Sequence, residues 1–171
     1  MSVLPENERE QALANFQAAR DEFLDAFADV PDASLAYQRA SQEYPLSGIV
    51  VHLTASLYHY RRVLTGMLDA GGKPYALPPQ DPDVHAAHAE RCRTGFTEED
   101  RDEAVALLES AHEELSEAIR RLDPSDWARP VAVTYTPGAT PQDTSAADIV
   151  RWETDHFHEH TPELRQAAPA E

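Results

Sequence analysis

The hydrophobic positions of the chain fall into four stretches with helical spacing. Apolar residues recur at intervals of three, four and seven in residues 5–27, and a second, strongly apolar stretch covers residues 47–70. The third stretch covers residues 97–122, and the fourth begins at residue 145 and continues past residue 160. Residues at these intervals share one face of a helix, so each stretch predicts a helix with one buried face.

Polar residues typical of helix starts precede three of these stretches. Ser47 is the predicted N-cap of the second helix, and Thr97, which is followed by three acidic residues, has the pattern of a capping box before the third. Ser145 and Asp148 predict a capping box for the fourth helix. Pro162 lacks the N–H that a helix interior needs, so we expect it to kink or fray the end of the last helix.

Four helical stretches predict an all-α four-helix bundle that forms a single domain over residues 1–171. The second and third helices are joined by residues 71–96, a long connection that we expect to cross over the bundle and to carry short helical turns around residues 85–92. Residues 131–135 alternate weakly and fit either a short strand or an extended loop. Residues 166–171 have the composition of a disordered tail.

Charge and cysteine content narrow the class of protein. The chain has 14 basic and 31 acidic residues, a formal net charge of −17. Such a surface repels nucleic acid and anionic membranes, and we expect neither as a partner. Cys92 is the single cysteine, which excludes an intrachain disulfide. Together with an acidic N-terminus that has no apolar run, this favours a cytoplasmic protein.

His156 and His160 are the strongest candidates for chemistry. At about 100° per residue they lie about 40° apart around the helix and one turn apart along it, so both imidazoles can reach one metal ion. They share their face with Ile149 and Trp152, which directs it into the bundle. Inward imidazoles repel each other when charged and lack partners when neutral, and a divalent cation removes both problems. The alternative is a pair of ordinary surface histidines, as we expect for His158 on the opposite side.

His52 is the candidate for a third ligand, because it lies within the most apolar helix and has the small residue Ser56 on the same stripe. The alternative is a core histidine that is hydrogen-bonded to a carbonyl group. His59 is about 10 Å further along the helix axis, too far for both side chains to bind one ion without distortion. We expect His59 to support the site or to lie at the surface.

Two further histidine groups compete with this interpretation. His85, His88 and Cys92 have spacings at which two imidazoles and a thiolate bind zinc on a helical turn, although no second ligand pair flanks them. His112 lies on the apolar face of the third helix. It is a buried hydrogen-bonded residue, a partner of a ligand, or a fourth ligand. The first of these alternatives is favoured.

These residues lie in segments that resemble the DinB/YfiT-like family of metalloenzymes. Residues 44–53 read Tyr-Pro-Leu-Ser-Gly-Ile-Val-Val-His-Leu, and residues 147–152 read Ala-Asp-Ile-Val-Arg-Trp. Residues 155–160 read Asp-His-Phe-His-Glu-His, and residues 122–127 resemble the family's exit from the third helix. The resemblance extends over about residues 6–164, and its specificity rests on three histidines and their spacing.

The resemblance implies an up-down-down-up bundle with a long crossover between helices two and three. It also implies that His52, His156 and His160 bind a divalent metal such as nickel, zinc or iron, and that the protein forms homodimers. Activities of the family include thiol-dependent transferase, isomerase and hydrolase reactions. A low-molecular-weight thiol is therefore a candidate partner.

Three imidazoles leave at least one coordination position open, as catalytic sites do. We therefore expect a metal-dependent enzyme of hydrolase or thiol-dependent transferase type that acts on a small molecule. The alternatives are a non-catalytic metal- or ligand-binding bundle with a sensor, carrier or stress-accessory role, and an interaction module whose histidines are incidental. Glu153 and Glu159 are the nearest carboxylates on the last helix, and neither is assigned as an acid or base.

Overall fold

A computed structural model describes residues 5–166, which form five α-helices and a small β-sheet. The predicted tail beyond residue 166 lies outside the described residues. None of the helices within residues 5–166 is long and apolar enough to span a membrane. The elements, in chain order, are α1 (Pro5–Ala28), α2 (Leu46–Asp69), β1 (Tyr75–Ala76), α3 (Pro82–Thr94), α4 (Arg101–Arg120), β2 (Val131–Thr134), β3 (Gln142–Thr144) and α5 (Ala146–Arg165).

Helices α1 and α4 run antiparallel. Arg9 near the start of α1 donates to the carbonyl of Leu122, just beyond the end of α4, at 2.7 Å. Arg101 at the start of α4 donates to the carbonyl of Phe27 at the end of α1, also at 2.7 Å. Both arginines therefore donate to carbonyl groups at or just beyond a helix end, where carbonyls lack intrahelical partners.

Helix α5 runs parallel to α1 and antiparallel to α2. The rings of Phe16 on α1 and Phe157 on α5 pack 6.1 Å apart, and Arg165 near the end of α5 pairs with an α1 residue six positions after Phe16, Glu22. Between α2 and α5, His52 faces His156 near one end. The contacts therefore place α1 and α5 in one direction and α2 and α4 in the other, an up-down-down-up order.

The core is formed by the apolar faces that the spacing predicted. Its largest fully buried side chains come from the long helices, and each stabilises the fold by about 1.5–3 kcal/mol on burial. The largest fully buried side chains are Phe16, Phe23, Phe27, Leu46, Ile49, Leu53, Leu57, Leu64, Leu108, Leu115, Ile119 and Phe157.

Two predicted helix starts need correction. Helix α2 begins at Leu46 after Pro45, and the buried Ser47 accepts a hydrogen bond from the backbone N–H of Phe96 instead of capping the helix. Thr97 makes no side-chain cap and precedes a single 3-10 turn before α4. The capping box of Ser145 and Asp148 is present. Tertiary hydrogen bonding thus outweighs the local cap preference of Ser47.

The connection between α2 and α4 is more ordered than expected. It contains α3, a helix of 13 residues whose N-cap Asp81 accepts from the backbone N–H of Asp83. The bundle therefore has a fifth helix, which covers α2.

Helix α5 continues through Pro162 to Arg165, so that proline does not end the helix.

The predicted all-α class is confirmed only in part, because the fold is mainly helical but also contains a small three-stranded sheet. Strand β2 pairs in parallel with β1 and antiparallel with β3, which gives the order β1-β2-β3. Val131 and Val133 point inward from β2 and are buried. The pairing partners are far apart or weakly patterned in the sequence, which is why the strand could not be distinguished from a loop.

His112 is buried in the core between α4 and α1, as the favoured alternative predicted. Its Nε2 lies 3.3 Å from the carbonyl oxygen of Phe16, and its Nδ1 lies 3.2 Å from the guanidinium of Arg20. These contacts fit a neutral ring that donates from Nε2 and accepts at Nδ1. Burial first and Arg20 second lower the pKa of His112 to about 4.

This lowered pKa predicts an acid-dependent loss of stability. The unfolded chain protonates His112 below pH 6.5, whereas the folded chain keeps it neutral until about pH 4. The contribution of His112 is therefore present above pH 6.5 and is lost as the pH falls toward 4, by at most about 1.4 kcal/mol per pH unit. We expect the free energy of unfolding of His112→Gln to depend less on pH in this window, as measured by urea denaturation.

His158→Gln is the matched control, because the side chain of His158 is 52% exposed. Its unfolding free energy should follow the wild-type pH dependence. If the unfolding free energies of wild type and His112→Gln changed equally with pH between pH 6.5 and 4, this result would contradict a neutral buried His112.

Candidate metal centre

Helices α2 and α5 bring three histidines together. The fully buried Phe157 packs between Phe16 and Phe23 of α1, with ring centroids 6.1 and 5.6 Å away. Because this contact fixes the rotation of α5, the adjacent face with His156 and His160 is turned toward α2.

The three imidazole rings lie in contact with one another. The Nε2 atoms of His52 and His156 are 2.9 Å apart. The ring centroid of His160 lies 5.4 Å from that of His52 and 5.0 Å from that of His156. One ring nitrogen from each residue can be chosen so that all three lie within 4.8 Å of one another.

Carboxylates lie behind both α5 imidazoles. Nδ1 of His160 donates to Glu163 at 2.7 Å, and Nδ1 of His156 lies 3.7 Å from Oε1 of Glu153. A carboxylate at Nδ1 holds the proton there and leaves Nε2 as the free acceptor, an arrangement that recurs behind metal-bound histidines. His160 thus has the orientation and tautomer that a metal ligand needs, whereas Glu153 lies near Nδ1 of His156 without a hydrogen bond to it.

His52 is half-buried and packs against Tyr44, with ring centroids 4.8 Å apart. Burial, followed by the proximity of His156 and His160, lowers the pKa of His52 to about 4. Its imidazole is therefore neutral at physiological pH, and a nitrogen lone pair is available to a cation.

Glu153 is the polar residue of this region that the sequence left undecided. It is 1% exposed, and the hydroxyl of Ser56 on α2 donates to its Oε1 at 2.6 Å. Its Oε2 is buried and has no hydrogen-bond partner among the described residues. Glu159, the other carboxylate considered, is exposed. In the sequence, the only signal for a role of Glu153 was its position three residues before His156. The fold shows that Glu153, and not Glu159, points inward.

A pocket of about 520 Å³ opens beside His52. Its walls come from α2, α3 and the segment before α2, so the five-helix arrangement creates a space next to the histidines. This volume is within the usual range for small-molecule sites. The wall residues include Tyr44, His52, Ser56, His59, Tyr60, Gln80, His85, His88 and Cys92.

The donor set fits a divalent cation. Three nitrogens converge, and the 2.9 Å separation of two of them is close to the roughly 3 Å expected for neighbouring nitrogens that bind one ion at about 2.0–2.1 Å. Without a cation, the two Nε2 atoms would face each other as acceptors if both Nδ1 atoms carry the protons. Among the residues that the structure describes, this is the group of three potential ligands that comes together.

The competing histidines lie elsewhere on the pocket wall. Sγ of Cys92 and Nε2 of His88 are 3.4 Å apart, whereas His85 lies within 3.4 Å of Gln80 and takes no part in a metal-ligand group. His59 is half-buried, and burial and the charge of Arg62 lower its pKa. The competing zinc site of His85, His88 and Cys92 is therefore not assembled within residues 5–166.

Comparison with solved structures identifies similar folds. The mycothiol-dependent maleylpyruvate isomerase aligns with a TM-score of 0.71 at 14% identity, over 99% of this chain and 65% of that one. The chain thus spans about 65% of that relative's length. YfiT from Bacillus subtilis, described as a probable metal-dependent hydrolase with an unusual four-helix bundle topology, aligns with a TM-score of 0.70 at 15% identity, over 97% of this chain and 90% of that one.

No curated protein matches the sequence. The sequence profile of the DinB superfamily, however, matches residues 15–164. This match includes more than half of α1, all of α2 and α4, nearly all of α5 and the three histidines of the centre. The chain therefore belongs to the DinB superfamily.

Proposed function

We propose that this protein is a divalent-metal-dependent enzyme that acts on a small molecule, with His52, His156 and His160 as the metal ligands. The observation that carries the proposal is the convergence of three imidazole nitrogens, together with an open pocket that is lined by one of the three residues, His52. Nickel, zinc and iron are the candidate ions, since imidazole binds all three. Three protein ligands leave coordination positions for substrate, as in catalytic sites.

A divalent ion in this centre supplies Lewis acidity and lowers the pKa of a bound water or thiol. The chain's own residues hold and orient it. Glu163 hydrogen-bonds the ring of His160, the charge of Glu153 lies 3.7 Å from Nδ1 of His156, and Tyr44 packs on the ring of His52. The pocket walls of α2 and α3 admit a small molecule on the side away from the core.

Two reaction types are compatible with this centre. A hydrolase is supported by the likeness to YfiT, and a thiol-dependent reaction is supported by the likeness to an isomerase that depends on mycothiol. Screening ester, amide and electrophilic substrates with and without a low-molecular-weight thiol separates them. Turnover only with thiol favours the transferase type, and tight metal binding without turnover favours a sensor or carrier. A homodimer and a cytoplasmic location stay predictions.

The proposal predicts about one divalent ion per chain. Protein purified without a histidine tag should contain it, as measured by elemental analysis after incubation with nickel, zinc or iron. His52→Ala with His156→Ala should reduce the stoichiometry to near zero, because two of three ligands are lost. His158→Ala removes an exposed imidazole of the same helix and should keep the wild-type content. Metal-free wild-type protein after incubation with all three ions would contradict the proposal.

A second prediction concerns Glu153. Glu153→Gln removes the charge beside Nδ1 of His156 with little change in volume. Loss of a partner behind a ligand typically lowers metal affinity by about 10–100-fold. We expect a decrease of this size in competition titrations with a chromogenic chelator. Glu159→Gln, at an exposed position on the same helix, is the control, and equal affinities of the two variants would show that Glu153 does not support His156.

A further inference from the structure

A second cavity lies on the neighbouring face of α2, between α2, α3 and α4. It is a groove with a volume of about 300 Å³. Its floor is formed by apolar and small residues of α2, including Val51 and Ala55, and its sides by Val84 on α3 and Leu107 on α4. We call this cavity the α3 groove. It contains none of the three histidines of the candidate metal centre.

Exposed hydrophobic side chains are concentrated at this groove. Among the residues that the structure describes, four large hydrophobic side chains are exposed: Tyr58 37%, Leu68 38%, Val84 60% and Leu107 45%. Tyr58, Val84 and Leu107 come from three different helices, and all three line the α3 groove. Exposed apolar side chains that gather in one concave place are typical of a binding site, whereas scattered ones need no explanation.

The α3 groove adjoins the pocket beside His52. Ala55, His59, Gln80 and His88 line both cavities. Ala55 is the smallest of the four, so the wall between the cavities is low at this point. His59 stands beside it, and burial lowers the pKa of its imidazole, which favours the neutral ring. None of the four shared residues is a carboxylate, a lysine or an arginine, so an apolar group that passes this wall meets no permanent charge on it.

The charges around the groove do not favour an ionic ligand. Arg62 and Arg91 line it together with Asp100 and Glu103, two positive and two negative side chains. With these charges balanced, the apolar surface is the feature left to select a ligand. A chain of methylene groups or an aromatic group is the chemistry that this surface binds.

We propose that the α3 groove binds the apolar tail of a substrate whose polar head lies at His52, His156 and His160. The inference rests on the proposed function for the head of the substrate and extends it to a substrate class: an amphiphilic small molecule with an aliphatic or aromatic tail. The groove is directly continuous with the pocket beside His52, which favours a small molecule over a second protein. A protein helix bound in the groove would not require a connection to that pocket.

Alkyl hydroxamates test this inference, because their head group chelates divalent metals whatever reaction the centre performs. Acetohydroxamate, hexanoyl hydroxamate and octanoyl hydroxamate are titrated into the nickel-loaded protein by calorimetry. Each methylene group that is fully buried increases affinity about fourfold. Burial of three of the six methylenes added between the acetyl and octanoyl compounds therefore gives about a sixtyfold increase.

The double variant Val84→Ser, Leu107→Ser removes two apolar sides of the groove from exposed positions. We expect the ratio of octanoyl to acetyl affinity to decrease at least tenfold in this variant. Leu68→Ser is the matched control, because Leu68 is similarly exposed on α2 and lies outside the groove. Its affinity ratio should equal that of the wild type. An unchanged ratio in the double variant, or no effect of chain length in the wild type, would overturn the inference.

The two proposals can fail separately. Binding of acetohydroxamate without a chain-length effect supports the metal centre and overturns the tail site. If the protein does not take up nickel, the metal centre fails, and the groove is tested in the metal-free protein with the apolar dye 8-anilinonaphthalene-1-sulfonate. Dye fluorescence that decreases in the double variant and not in Leu68→Ser supports an apolar site, and equal fluorescence overturns it. A change of oligomeric state confined to the double variant would identify the groove as a protein interface and also overturn the inference.

Discussion

The packing of Phe157 into the bundle is the contact on which the rest of this structure depends. It touches Phe16 and Phe23 of α1 and the ring of His112 on α4, so one side chain of α5 joins three helices. Because a helix is rigid, fixing Phe157 fixes the direction of every other side chain on α5. His156 and His160 are thereby turned toward α2, where His52 faces them. The apolar core thus positions the polar centre.

The polar groups near this centre include two carboxylates, of which Glu163 fixes the proton position of His160. Glu163 and Glu153 lie behind two of the imidazoles, and Ser56 donates to Glu153 from the opposite helix. A buried carboxylate oxygen that has no hydrogen-bond partner among the described residues is unfavourable by itself. A cation bound by the neighbouring imidazole nitrogens would offset this cost by electrostatic attraction. At His112, too, burial and Arg20 favour the neutral ring. There, however, the carbonyl of Phe16 accepts from the ring, and His112 belongs to no group of potential metal ligands within residues 5–166.

Helix α3 determines what can reach the centre. It covers one face of α2 and contributes wall residues to both the pocket beside His52 and the α3 groove. Its own residues are mostly exposed and polar, and Cys92 alone is buried. A short helix with one buried residue is held by few contacts, which suits a segment that shapes access to a site rather than the core.

The amino-acid sequence determined the four long helices, their buried faces and the pair His156 and His160, because helical periodicity is a local property with a strong signal. It also indicated His52 as a partner, through its place in an apolar helix. Only the tertiary structure decided that Ser47 bonds Phe96 instead of capping α2, that residues 82–94 form a helix, and that Val131–Thr134 is a strand between two others. These features depend on partners far away in the chain, and local pattern carries no information about such partners.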